Sequence, residues 1–204
     1  MPRKPLKRAR PRIYLAGPMV FYPDPEATFR AMKKMCAAHG LEGVAPIDNQ
    51  LELKGYTPGK RLIHDIVKAD IALMNRMDAG LFCVDPFRRA PDMDPGTAFE
   101  IGYMHAQGKP LCGWTEDGRL YPAKVEAYFK DVFGEKLHVT KANPKGGTSG
   151  AKRDPDDILV HSQGCVQNGM MHIGIELSGG KVCADRDWRK AFAAACKQLA
   201  RMML

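Results

Sequence analysis

This sequence lacks most of the short signatures that assign chemistry at a glance. Its six cysteines (Cys36, Cys83, Cys112, Cys165, Cys183 and Cys196) include no C-x-x-C pair, and its six histidines are equally scattered. That spacing excludes a zinc-ribbon type of metal site and argues against a disulfide framework. Cys83 and Cys112 sit in apolar runs that read as buried strands, the usage expected of free thiols in a reducing compartment. No apolar run approaches the roughly 20 residues that span a bilayer. No apolar stretch follows the basic N-terminus, so a cytoplasmic location is expected rather than a secretory one. Neither G-x-G-x-x-G nor G-x-x-x-x-G-K-S/T occurs, so no dinucleotide cofactor and no P-loop is indicated.

Acidic residues are missing from the first 12 positions, where Arg3, Lys4, Lys7, Arg8, Arg10 and Arg12 carry six of the formal +8 charges. The remainder is close to neutral, so residues 1–11 read as a solvated basic tail. No aromatic residue is interleaved there for base stacking, which argues against nucleic acid as a partner. An RNA-associated role acting through the tail is the alternative. It requires that deleting residues 1–11 abolish function.

What is present is an ordinary globular composition, 45% hydrophobic and 26% charged over 204 residues. Residues 12–204 read as one domain with a sizeable core. Apolar runs at 12–18, 42–46, 79–84 and 110–114 read as strands, and a fifth strand is expected within 170–177. Helical spacing predicts helices over 24–39, 60–76, 94–108, 121–129 and 186–203. Leu62, Ile63, Ile66, Ala69, Ile71 and Leu73 supply the apolar face of the second. Residues 140–157, rich in glycine and proline, have the composition of a loop insertion. Strands alternating with helices call for a parallel sheet covered on both faces. Ligands in such folds bind at the carboxyl ends of the strands. That edge collects Gly17-Pro18, Asp48-Asn49-Gln50, residues 85–94 and residues 114–117.

The chain turns from loop into helix at Asp94-Pro95-Gly96-Thr97-Ala98-Phe99-Glu100. Asp94 suits an N-cap and Pro95 the first helical position. Gly96 lets another group approach the helix start. Glu100 follows about two turns in, among Phe99, Ile101 and Tyr103. A carboxylate in apolar surroundings, near a second one at the cap, suits acid–base or nucleophilic work. The plainer reading is that Asp94 only caps and Glu100 faces solvent.

These residues together resemble the nucleoside 2-deoxyribosyltransferase family, which also includes nucleoside and nucleotide N-glycosidases. The matching elements begin with Ile13-Tyr14-Leu15-Ala16-Gly17-Pro18 and Phe21, then Pro46-Ile47-Asp48-Asn49-Gln50. Asp70 follows, eight residues before Asp78, then Pro86-Phe87-Arg88 and Asp94-x-Gly96-Thr97-x-x-Glu100-x-Gly102-Tyr103. They run in order over residues 12–114, and downstream the match thins to Asn168. The Pro-Phe-Arg loop is similar to that of the branch with protozoan members.

The resemblance implies a flavodoxin-like (Rossmann-like) α/β three-layer sandwich with a five-stranded parallel sheet, no cofactor and no metal. It implies self-association, for which the Met- and Ala-rich last helix has apolar residues to spare. It also implies a ping-pong exchange. The enzyme removes the base from a 2'-deoxynucleoside, holds the deoxyribosyl group covalently and passes it to another free nucleobase. By position, Glu100 matches the nucleophile and Tyr14 the hydroxyl that orients it; Asp94 and Asp70 match acids near the sugar and base. Gln50 matches a base contact. Asn168 resembles a side chain that caps the 5' end of the sugar in a neighbouring subunit's site. Gly17, Phe21, Asp48, Asn49, Pro86, Phe87, Arg88, Gly96 and Thr97 complete the implied substrate pocket.

The chemistry fits these residue types. Breaking an N-glycosidic bond gives an oxocarbenium-like sugar, which a carboxylate at the anomeric carbon stabilises and traps. The leaving base needs a proton, which a carboxyl of raised pKa supplies. Asp70 and Asp94 both qualify. Water in place of the acceptor base would make the chain a nucleoside or nucleotide hydrolase, and a non-catalytic nucleotide-binding module would tolerate loss of Glu100. Asp94 at the helix start would repel a 5'-phosphate, which favours a free nucleoside. Plainer roles stand beside several of these: a turn for Asp48 and Asn49, a backbone bond for Thr97, solvated surface for Arg88 and Asp70.

Overall fold

The structure, a computed structural model, describes residues 9–49, 57–139 and 152–203. Gln50 lies outside them, as do residues 1–8 of the basic tail and 140–151 of the expected insertion.

The first four strands are β1 (Arg12–Ala16), β2 (Glu42–Val44), β3 (Ala79–Cys83) and β4 (Leu111–Thr115), all parallel. β1, β3 and β4 are buried along nearly their whole length, as apolar runs covered on both faces must be. Next come β5 (His138–Val139), β6 (Lys152–Arg153) and β7 (Leu159–Val160), a separate antiparallel sheet. β6 falls inside the segment expected to be a loop. Last, β8 (Val182–Ala184) returns to the parallel sheet, giving it five strands in the order β2-β1-β3-β4-β8. This is the flavodoxin-like order, and it opens a crevice at the carboxyl ends of β1 and β3.

The described α-helices are α1 (Pro25–Ala38), α2 (Lys60–Asn75), α3 (Pro95–Ala106), α4 (Tyr121–Tyr128), α5 (Gly169–Leu177) and α6 (Trp188–Met203). Period-two alternation sorts the side chains of the sheet into two cores. Ile13 and Leu15 pack with Leu81, Cys112 and Trp114 on the side of α1 and α6. Tyr14 and Ala16 pack with Phe82 and Leu111 on the side of α2, α3 and α5. Tyr14 therefore faces α3, the helix that carries Glu100. Among the described residues no helix is long and apolar enough to cross a membrane.

Two expectations need correction. Residues 170–177 are not a strand: they belong to α5, and the fifth strand is the three-residue β8. Asn168 caps that helix, its side chain accepting from the Met170 N–H at 3.0 Å. Met171, His172 and Ile175 turn one face inward at helical spacing. A capped apolar run buried at that spacing is a helix, however many Ile residues it holds. Gly180 then lets the chain pass close to β4, where a Cβ would stand 1.7 Å from the Leu111 carbonyl oxygen. Nor does the last helix have apolar residues to spare. Ala191, Phe192, Ala195, Cys196 and Leu199 are buried in the core, and the exposed large apolar side chains of the described α-helices lie instead on α5 (Met170, Ile173, Leu177), α2 (Ile63, Val67) and α3 (Phe99).

Candidate active site

A cavity of about 350 Å³ opens where β1 and β3 end, within the roughly 300–1,000 Å³ usual for small-ligand clefts. Gly17 forms its β1 edge. A φ of 152° and a Cβ that would stand 2.6 Å from the Cys83 Cβ exclude a larger residue there. One wall is α2, whose Ile63, Ile66 and Ala69 line the cavity instead of joining the core. Asp70, seven residues on from Ile63, projects from the same face. Its helix runs unbroken to Asn75, and Asp70 stands within the wall. The start of α3 brings Asp94, Gly96, Thr97 and Glu100, while Phe21, Pro46 and Ile47 add apolar surface.

Asp94 is both a cap and a pocket residue. It is buried, and its Oδ2 accepts from the Thr97 N–H and the Thr97 hydroxyl, both at 2.8 Å. Thr97 is thereby tied to the acid that starts its own helix.

Glu100 meets Tyr14 across the crevice. The hydroxyl of the fully buried Tyr14 donates to Glu100 Oε1 at 2.5 Å. Burial among apolar walls pushes the Glu100 carboxyl up to about 8, and the charges of Asp70 and Asp94 add to that rise. The Tyr14 hydrogen bond opposes it by favouring the ionised form. Burial also lifts Asp70, to about 6. The Tyr14 hydroxyl is driven far above its ordinary range by burial and by Glu100, so it remains a donor. Around neutrality this pair of carboxyls shares a proton.

Other residues singled out from sequence sit at the rim or away from it. Phe21 packs on Phe87 with ring centroids 5.8 Å apart, and the Arg88 guanidinium lies 4.8 Å over the Phe87 ring. Pro86, Phe87 and Arg88 do not line the cavity themselves; Phe21 does. Asp48 accepts from the Ala45 N–H at 2.8 Å and pairs with Lys33, holding the turn after β2. Asn49 belongs to that same 3₁₀ turn, Pro46–Asn49. Asn168 caps α5 and does not line this cavity. Sequence reasoning passed over the pocket role of Ile63, Ile66 and Ala69. The signal for it was an apolar helical stripe that runs on into an acid. Among the described residues no cluster of three or more His, Cys, Asp or Glu is placed to hold a metal ion.

A family model described as nucleoside 2-deoxyribosyltransferase matches residues 13–170. An uncharacterized protein of Schizosaccharomyces pombe is 48% identical over 190 residues, covering 93% of this chain and 89% of that one. A 2-desoxiribosyltransferase from Leishmania mexicana superposes with a TM-score of 0.60 at 25% identity, covering 95% of this chain and 99% of that one. A conserved protein from Enterococcus faecalis shares the fold, with a TM-score of 0.55, 19% identity and coverage of 93% and 99%. With the family match running from β1 into α5, the chain belongs to the nucleoside 2-deoxyribosyltransferase family.

Proposed function

We propose that this protein exchanges the base of a 2'-deoxynucleoside for another free nucleobase, with Glu100 as the covalent nucleophile. Membership of the family makes it an enzyme that transfers or hydrolyses glycosyl groups. The observation that carries the finer reading is the 2.5 Å hydrogen bond from Tyr14 to Glu100, in a cavity that also holds Asp70 and Asp94. In the first half-reaction Glu100 Oε2 bonds to C1' as the C1'–N bond breaks, and the leaving base takes a proton from Asp70 at a basic ring site other than the departing nitrogen. In the second, a ring nitrogen of the incoming base bonds to C1' through its lone pair, the ester C–O bond breaks, and a proton carried at another ring site of that base goes to Asp70. Tyr14 holds Oε1 throughout and leaves Oε2 to attack. Asp70 is preferred to Asp94 as the acid because burial raises its carboxyl from the ordinary 3.8 to about 6, while the Oδ2 of Asp94 is occupied as the acceptor of two Thr97 hydrogen bonds.

Among the described residues no Lys or Arg lines the cavity, and three acids do. That favours an uncharged nucleoside over a 5'-phosphate. Asn168 stands at the start of α5 beside the exposed Met170, Ile173 and Leu177. This placement supports a homo-oligomer in which Asn168 serves a neighbouring protomer's site.

Incubation with a 2'-deoxynucleoside and a different free base, followed by chromatography, tests the reaction. A new nucleoside is expected. Free base alone would make the protein a hydrolase, and no change with any donor would overturn both readings. Tyr14→Phe is expected to lower kcat by about 10–10²-fold, the worth of a hydrogen bond to a charged group. It should also move the alkaline limb of the rate profile upward, since Glu100 loses the contact that favours its ionised form. Steady-state kinetics across pH measures both.

A further inference from the structure

The loop that delivers Asp94 to the cavity is fastened at its two ends by one buried amide. Gln167 is fully buried, just before α5. Its Nε2 donates to the Val84 carbonyl, where β3 ends, and to the Pro91 carbonyl, three residues before Asp94, each at 3.3 Å. Its Oε1 accepts from the Asn168 N–H at 2.9 Å. Both amide hydrogens and the oxygen are therefore in use. Val84 and Pro91 flank residues 85–90, so the amide works as a clasp across the base of that loop. Two further bonds meet at Asp92: the Tyr121 hydroxyl donates to its Oδ1 at 2.8 Å, and the Phe87 N–H to its carbonyl at 2.9 Å. An apolar side chain of this size would be buried at lower desolvation cost, but it would leave two carbonyls ungripped.

We propose that Gln167 is a positioning residue of the active site: by joining Val84 to Pro91 it fixes where α3 starts relative to β3, and so sets Asp94 and Glu100 against Tyr14. The inference rests on the reaction proposed above. Tyr14 is fixed in the sheet, paired in register with Gly80 of β3. Val84 lies four residues beyond Gly80, and α3 begins four residues beyond Pro91. The loop is thus the covalent link between β3, against which Tyr14 is paired, and α3, which carries Glu100, and the 2.5 Å contact between those side chains tolerates little slack. Gln167 reaches this link from 76 and 83 residues away in sequence.

Two variants separate positioning from bulk stability. Gln167→Met keeps the length and removes every hydrogen bond; Gln167→Glu keeps the acceptor for Asn168 and removes the two donors. Both are expected to fold and to lose about 10²-fold in kcat, the effect of a displacement of about 1 Å at a catalytic group, with a smaller change in KM. A displaced loop disturbs both the Tyr14 hydrogen bond and the Asp94 charge that set the Glu100 carboxyl, so the alkaline limb of the rate profile leaves its wild-type position. Lost stability alone does not move it. Hydrogen–deuterium exchange of residues 84–97 should quicken while α1 and α6 stay protected. Variants that melt earlier yet keep the wild-type kcat, alkaline limb and loop protection would overturn the proposal. Should the wild-type protein turn over no donor, the reaction fails, and the exchange measurement still decides the clasp.

Discussion

Glu100→Gln is expected to abolish exchange, lowering kcat/KM by about 10⁴-fold or more, the scale on which an enzyme loses its nucleophile. Glutamine matches glutamate in shape and still accepts from the Tyr14 hydroxyl, so the loss isolates the attacking oxygen from packing. Wild-type protein given donor without acceptor should gain the mass of one deoxyribosyl group by intact-protein mass spectrometry, and Glu100→Gln should gain nothing. Full turnover by the variant would sink the covalent route. Stability should move the other way. The Glu100 carboxyl rises from its ordinary 4.5 to about 8 on folding, so the folded chain binds the proton more tightly than the unfolded one. The contribution of Glu100 to wild-type stability is then fully present below about 4.5 and is lost as pH rises through about 8. Glutamine does not titrate. The melting temperature of Glu100→Gln should therefore climb relative to wild type across that window and level off above it. Thermal melts at several pH values read this directly. A chain that keeps a buried acid at such a cost to its alkaline stability keeps it for function.

The sheet and most helices were legible because their signals are local. Buried strands covered on both faces are unbroken apolar runs, and Asp24-Pro25 and Asp94-Pro95 announce helix starts that the structure shows capped by those aspartates. The misread segment, 170–177, lacks so plain a signal: Asn168 is its cap, with no proline after it to mark a helix start. The strand it displaced, β8, has three residues and too little sequence to carry a period. Asp70, Asp94 and Glu100 meet at the cavity, with Tyr14 bonded to Glu100 from behind it, and the sequence marks all four. The apolar wall was not foreseen, because Ile63, Ile66 and Ala69 look like any core stripe until the cavity beside them is known. Gln167 was invisible for a different reason. A lone glutamine carries no pattern, and its meaning lies in two carbonyls far away in the chain.

Asp70→Asn is expected to lower turnover of ordinary donors by about 10²–10⁴-fold, the usual worth of a positioned acid. The reason is the proton count. Glu100 and Asp70, lifted by burial to about 8 and about 6, share one proton between those values. Chemistry needs that proton on Asp70 and not on Glu100, which is the minor arrangement of the singly protonated pair. Its population still follows the pair, so the rate should be bell-shaped with its maximum between about 6 and 8. Below this range Glu100 is capped by a second proton; above it the leaving base finds no acid. The two limbs belong to the pair, not to either residue. In Asp70→Asn the bell should collapse to a single ascending limb, because the remaining requirement is an ionised Glu100. That limb should fall below the wild-type value of about 8, since the Asp70 charge that helps raise Glu100 is gone. A 7-methylated purine deoxynucleoside carries its positive charge already, and its base leaves without taking a proton. With that donor Asp70→Asn should recover most of the wild-type rate, whereas Glu100→Gln should recover none. If the methylated donor fails to rescue the variant, Asp70 is not the acid, and the same profile run on Asp94→Asn identifies whether that carboxyl takes its place.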